Sequence, residues 1–243
     1  MRVTINRPEV LNALNPLAHY ELADAFDAFA NDDRLNVATI SGTGDRAFCV
    51  GTDLKAKAES GRDEHPETGF AGLTERFNLN KPVVALVNGD AIGGGLEIVL
   101  ACDLAIAVST ARFGLPEPRV GLAASGGLHR LARQVPLKQA MEFALTGNLF
   151  DAETALSYGF INKVVEPQSL QAETEKLVND LLAGSPLALR ATKQMIFKGL
   201  DADTLKKAYQ VEYSDYNKML ASEDAKEGVS AFVEKRKPIW RGR

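Results

Sequence analysis

The residues that ordinarily announce cofactor, metal or nucleophile chemistry are scarce in this sequence, which has two cysteines and three histidines among its 243 residues. Cys49 and Cys102 lie far apart in apolar surroundings without C-x-x-C spacing, so they read as buried free thiols rather than a disulfide or a nucleophile. His19, His65 and His129 are scattered without ligand spacing, which gives metal chemistry no support. No G-x-S-x-G elbow is present, and this argues against a serine hydrolase. The longest apolar runs are about five residues, far below the roughly 20 that a membrane-spanning helix requires. No basic and apolar leader opens the chain, so a cytoplasmic location is expected. Excess positive charge is missing too: a net charge of -4 argues against a general nucleic-acid binder.

What is present is an ordinary soluble composition, 45% apolar and 25% charged, on a chain long enough to bury a full core. Arg2 to Asn6 alternates like a strand, and Asn15-Pro16 is a good cap for a helix over 17–30 with apolar residues at 22, 25, 26 and 29. Val37 to Ile40 reads as a buried strand, 41–45 as a turn, and Ala47 to Leu54 as a second strand ending at a glycine. Lys55 to Thr68 has the composition of a mobile loop or loosely held helix, and Leu73 to Asn80 reads as helical.

The chain is organised around Asn88 to Asp103, where Gly93-Gly94-Gly95-Leu96-Glu97 sits between the apolar runs Val83–Val87 and Leu104–Val108. This pattern is a glycine-rich turn from strand to helix. Its glycines allow close backbone approach, and free N–H groups at a helix start attract an anion or a developing oxyanion. Nucleotide motifs fit poorly: Ile98 occupies the place of the last glycine in G-x-G-x-x-G, and no Gly-Lys-Ser/Thr follows. For Glu97 two readings stay open, a catalytic carboxylate or a charge that merely complements the helix dipole. Glu117 also has two: Pro116 and Pro118 hold it rigidly and exclude regular helix, and a surface glutamate in a proline turn is the plain alternative.

Helices are expected over 128–134, 137–145, 151–157 and 170–182, followed by three more between Leu187 and Lys235. The helical tail contrasts with the mixed first half, so a boundary is placed near Gly184-Ser185-Pro186, giving a core of 1–184 and a helical region of 185–243. Strand-turn-strand-helix units recur near residues 37, 83 and 103, which suits an α/β spiral of stacked units more than a flat doubly wound sheet. The basic end around Lys235-Arg236-Lys237 is either a solvated face or a phosphate contact.

Five blocks taken together, Asn6-Arg7-Pro8 with Asn12-Ala13-Leu14, Ala47 to Leu54, Gly93 to Asp103, Phe113 to Glu117, and Glu234-Lys235-Arg236, resemble the crotonase superfamily, with enoyl-CoA hydratases as the nearest group. The resemblance implies the crotonase-like α/β spiral of β-β-α units with a C-terminal helical oligomerisation region, and a homotrimer or homohexamer. It implies an acyl-CoA substrate with no bound cofactor or metal, and the composition adds that no membrane or nucleic-acid partner is expected. Backbone N–H groups of Thr52 and Gly94 would form an oxyanion hole around the thioester carbonyl. Glu97 and Glu117, 20 residues apart as in the hydratases, would activate the water and deliver the proton to the α-carbon. Asn12, Ala13, Leu14, Asp53, Leu54 and Gly93 would line the substrate or its CoA, and Tyr216 and Lys235 would reach CoA on a neighbouring subunit.

The resemblance also places the first residue about one strand later than in most members, which implies a shortened first sheet or a start assigned late. Residues 121–127 lack a proline common there. With 73–80 and 117–130, that stretch is nearer to the hydratases grouped with carnitinyl-CoA dehydratase. Isomerisation using Glu117 alone is the alternative chemistry within enzymes, and RNA binding through a basic helix the alternative outside them.

Overall fold

The computed structural model describes residues 1–60 and 64–243. The first half builds β1 (Arg2–Ile5), α1 (Pro16–Asn31), β2 (Ala38–Gly42), β3 (Ala47–Cys49), α2 (Leu54–Ser60), β4 (Val83–Val87), β5 (Asp90–Ile92), α3 (Gly94–Ala101), β6 (Leu104–Val108) and β7 (Arg112–Gly114). After these come α4 (Leu128–Gln134), α5 (Leu137–Thr146), β8 (Phe150–Asp151), α6 (Ala152–Tyr158), β9 (Lys163–Val165) and α7 (Leu170–Leu182). The tail is α8 (Pro186–Leu200), α9 (Leu205–Ala208), α10 (Ser214–Leu220) and α11 (Glu223–Val233).

Two sheets organise these elements, a parallel one in the order β1-β2-β4-β6-β9 and a smaller one in the order β3-β5-β7-β8. The chain crosses from the first sheet to the second at each of three successive strand pairs, β2/β3, β4/β5 and β6/β7, and the pairs stack in the same order in both sheets. The recurrence expected near residues 37, 83 and 103 is therefore a spiral. All five residues of β4 are buried, because a central parallel strand is covered on both faces and needs apolar side chains throughout. The core joins these strands to Phe26 and Phe29 of α1 and to α3, which is buried from Gly94 to Leu100.

Several local expectations change. Leu73 to Asn80 is not a helix but a run of turns after a 3-10 turn at Phe70–Gly72. Side chains take the backbone groups a helix would use: Phe70 N–H donates to Thr74 Oγ1 at 2.8 Å, and Arg76 Nε donates to Gly72 O at 2.7 Å. The strand expected over Ala47–Leu54 stops at Cys49, and Leu54 opens α2, which Asp53 caps by accepting from Ala56 N–H. Of the two readings for Lys55–Thr68, a mobile loop or a loosely held helix, the first part is helical, and residues 61–63 fall outside the described residues. Ser41 and Gly42 belong to β2 rather than to a turn. Four short strands, β5, β7, β8 and β9, were not expected, and the tail has four helices rather than three.

The tail is fastened to the core by charge. Lys193 of α8 donates to Asp103 Oδ2 at 2.7 Å and to Lys81 O at 2.9 Å, and the same Asp103 oxygen accepts from Val83 N–H. Asp224, buried at the start of α11, accepts from the Ser185 hydroxyl and from the amides of Arg241 and Gly242, so one carboxylate ties three segments of the tail.

Candidate active site

Three adjacent parallel strands of the smaller sheet deliver the candidate residues from their C-terminal ends. Thr52 follows β3, Gly93, Gly94 and Glu97 follow β5, and Glu117 follows β7. All of them line one cavity of about 350 Å³. The C-terminal edge of parallel strands is where an open α/β sheet ordinarily forms its crevice.

Thr52 lies opposite Leu14 in an isolated parallel bridge, in which Leu14 N–H donates to Gly51 O at 2.8 Å and Asp53 N–H donates to Leu14 O at 2.9 Å. The residues flanking Thr52 make those bonds, so its own N–H points to the opposite edge. Gly94 lies on that side: a Cβ built on Gly51 would stand 2.9 Å from Gly94 N. Neither the Thr52 nor the Gly94 N–H donates to an acceptor among the described residues. Gly93, at φ 57°, makes the turn between β5 and α3, and a side chain there would stand 2.8 Å from Glu117 Oε1.

Glu97 is 6% exposed on a helix that is otherwise apolar, so it is a buried acid in the first turn of α3 rather than a solvated one. Burial pushes its carboxyl up to about 7, the nearby Glu117 charge adds to the rise, and the Gly127 and Gly126 amides oppose it. Burial also raises the half-buried Glu117. Glu97 Oε1 and Glu117 Oε2 are both buried, and neither has a hydrogen-bond partner among the described residues. Two carboxyls that line one cavity beside two free amides, each with a buried oxygen that lacks a partner among the described residues, can hold a water, share its protons and oppose charge on a neighbouring oxygen.

A stability test of this burial has a defined sign. A carboxyl raised from 4.5 to about 7 binds a proton in the folded chain after the unfolded chain has released it, so its contribution to stability falls as pH climbs through that window. Glu97→Gln is therefore expected to raise the melting temperature at pH 8, by on the order of 2 kcal/mol of stability, and to have almost no effect near pH 4.5. Equal melting shifts at both pH values would show that Glu97 is not held neutral by burial.

Of the other expected contacts, Gly93 and Leu54 line the cavity. Asn12, Ala13 and Leu14 do not; they are buried behind it. The Asn12 side chain donates to Thr43 O and Ala47 O and accepts from Arg7 N–H, so its polar atoms are committed inside the protein. Asp53 is held below the ordinary carboxylate range by the Ala56 amide and by Arg7, which donates to it at 3.0 Å. Arg7 also donates to Ala13 O, so it pins the Leu14 segment on which the Thr52 bridge depends. Tyr216 on α10 and Lys235 beyond α11 lie away from the cavity of their own chain. Sequence reasoning missed Phe70, Thr74, Ser125 and Gly126 of the cavity wall, because these come from turns that only the packing around them brings to the cavity.

The profile of the family described as enoyl-CoA hydratase/isomerase matches residues 1–243. The chain belongs to the enoyl-CoA hydratase/isomerase, or crotonase, family. It is a hydro-lyase of that family with the α/β crotonase fold of two stacked sheets and C-terminal helices. It is 40% identical over 253 aligned positions to carnitinyl-CoA dehydratase of Citrobacter koseri, covering 100% of this chain and 95% of that protein. Among solved structures, enoyl-CoA hydratase from Mycobacterium tuberculosis H37Rv is 40% identical with a TM-score of 0.93, over 100% of this chain and 95% of the other. Carnitinyl-CoA hydratase from Mycobacterium avium is 38% identical with a TM-score of 0.77, over 100% of this chain and 95% of the other. The family implies an acyl-CoA substrate. No helix among the described residues is long and apolar enough to cross a membrane.

Proposed function

We propose that this chain is an enoyl-CoA hydratase that reversibly adds water to a 2-enoyl-CoA thioester. The observation that carries the reading is the pair of buried glutamates with unpartnered oxygens on the same cavity as the two free amides. Water lies between the carboxyls, its oxygen bonds to the β-carbon, and its proton passes to Glu97. The C=C electron pair moves toward the thioester, whose oxygen becomes an enolate held by the N–H groups of Thr52 and Gly94. Glu117 then gives its proton to the α-carbon. The pair ends with one proton, as it began, moved from Glu117 to Glu97. Removing one donor from such a hole typically costs about 3 to 4 kcal/mol of transition-state stabilisation.

Hydration begins with the proton on Glu117, whereas elimination of water begins with it on Glu97. The deeper burial of Glu97 favours the second form, which supports dehydration of a 3-hydroxyacyl-CoA as an equally natural direction. That direction, with the 40% identity to carnitinyl-CoA dehydratase, keeps carnitinyl-CoA as the second reading. Isomerisation would need Glu117 alone and leaves the buried Glu97 without a task.

The test is a panel of crotonyl-CoA, longer and branched enoyl-CoAs, 3-enoyl-CoAs and carnitinyl-CoA, with products identified. Loss of the conjugated absorbance with formation of 3-hydroxyacyl-CoA is expected. Conversion of 3-enoyl-CoA to 2-enoyl-CoA with no hydration would replace the proposal by isomerase. We also infer assembly into homotrimers or homohexamers, supported by the exposure of Leu205, Tyr209, Phe232 and Val233 on the tail. The unpaired thiols of Cys49 and Cys102 support a cytoplasmic location.

A further inference from the structure

The cavity has a mouth and a floor. Val120 and Leu122 are 63% and 50% exposed, whereas Phe70, Thr74 and Ala124 of the same wall are 8%, 3% and 5% exposed. A bulky CoA thioester enters from the exposed side, so its acyl group points to the buried one. The floor is an aromatic ring. A Cβ built on Gly94 would fall 2.3 Å from Phe70 Cζ and 2.5 Å from Cε1, so the tip of the ring abuts the residue whose amide faces the thioester.

That ring is packed against α1. The His19 imidazole packs edge-on behind it, with centroids 4.4 Å apart at 69°, and His19 Nδ1 accepts from Ala71 N–H at 3.0 Å. The turn is pressed onto α1 so closely that a Cβ on Gly72 would lie 2.5 Å from Ala23 Cα. Ala71 is held at φ 54°, a left-handed conformation that costs a non-glycine residue about 1 to 2 kcal/mol. Strain of this kind persists only where the surroundings over-determine it, and it clusters at ligand-contacting positions.

We infer that Phe70 is a specificity-determining end stop that restricts the enzyme to short acyl groups and excludes long ones. The inference rests on the acyl-CoA reading of the cavity, and its test uses binding of unreactive thioesters so that it does not depend on hydration. Dissociation constants of saturated butyryl-CoA and decanoyl-CoA are measured for the wild type, Phe70→Ala and Phe70→Leu, the last retaining apolar packing against His19. The wild type is expected to bind butyryl-CoA at least tenfold more tightly. Either variant is expected to shift the decanoyl-to-butyryl ratio at least tenfold toward the longer chain, in line with the discrimination a hydrophobic pocket gives per methylene. A merely structural Phe70 would weaken both ligands alike. Equal wild-type binding of both thioesters, or an unchanged ratio in the variants, overturns the end stop. Length-selective binding without turnover of crotonyl-CoA would overturn the hydratase assignment and leave the end stop standing, whereas failure of both thioesters to bind the wild type would overturn both.

Discussion

Glu117→Gln is expected to lower hydration of crotonyl-CoA by about 10²- to 10⁴-fold, the range of one general acid or base, while butyryl-CoA binds with nearly unchanged affinity. Glutamine has the size of glutamate, so the packing beside Gly93 survives, and the amides proposed to hold the thioester are untouched. What disappears is the group that moves the α-proton. Exchange of that proton with deuterium oxide on a saturated acyl-CoA separates the two acids: it should vanish in Glu117→Gln and persist in Glu97→Gln, although both variants lose hydration. Full hydration by Glu117→Gln, or exchange that depends on Glu97 instead, would reverse the assignment.

The second large effect is expected from Gly95→Ala. In most helices this exchange stabilises by roughly 0.5 to 1 kcal/mol, because alanine has less freedom to lose. Here the new methyl carbon would sit 1.9 Å from Cys49 O and 2.7 Å from Cys49 C, and both atoms are buried backbone of β3. Either β3 or α3 must move by more than an ångström. The overpacking should cost about 3 kcal/mol, which outweighs the helix gain. Thr52 follows β3 and Gly94 opens α3, so the same displacement moves the two amides relative to each other, and a misplacement of that size costs about 10²-fold in rate. Thermal unfolding and hydration measured on one preparation should fall together. A variant with wild-type melting and turnover would show that the contact between β3 and α3 does not set the site.

Much of the larger sheet was legible in the sequence, for a physical reason. Val83–Val87 and Leu104–Val108 are covered on both faces, so their apolar runs are unbroken, and α1 carries a cap at Asn15, which accepts from Ala18 N–H. The smaller sheet was legible only in β3, and there with its end misplaced. Its strands are two or three residues long, interrupted by glycine or aspartate, and defined by pairing with neighbours distant in sequence rather than by any period of their own. The turn over 70–80 misled in the opposite way: its residues fit a helical pattern, but Thr74 and Arg76 spend their side chains on the backbone.

The residues proposed to carry the chemistry were more legible than the walls around them. Glu97, Glu117 and the glycines stand out because a buried acid or a run of three glycines is costly unless used. Phe70, Arg7 and Gly126 did not stand out, since an aromatic in a core, an arginine near an aspartate and a glycine before a helix are all commonplace. Asn12 marks the limit of carrying roles by position: it was expected near CoA, and its amide is instead consumed in holding the strand ends together.

Neighbouring strands in any sheet stand about 4.8 Å apart, and an oxygen accepts an N–H comfortably from about 2.9 Å. Two amides at the ends of adjacent strands can therefore both reach one atom placed between them. Because Thr52 and Gly94 follow the adjacent strands β3 and β5, the proposed anion seat takes its gauge from the pleated backbone itself and not from any side chain. Such a seat is indifferent to what happens one or two carbons away. It could serve addition, elimination or proton transfer without being rebuilt, and the choice among them falls to the acids that face it and to the ring that ends the channel.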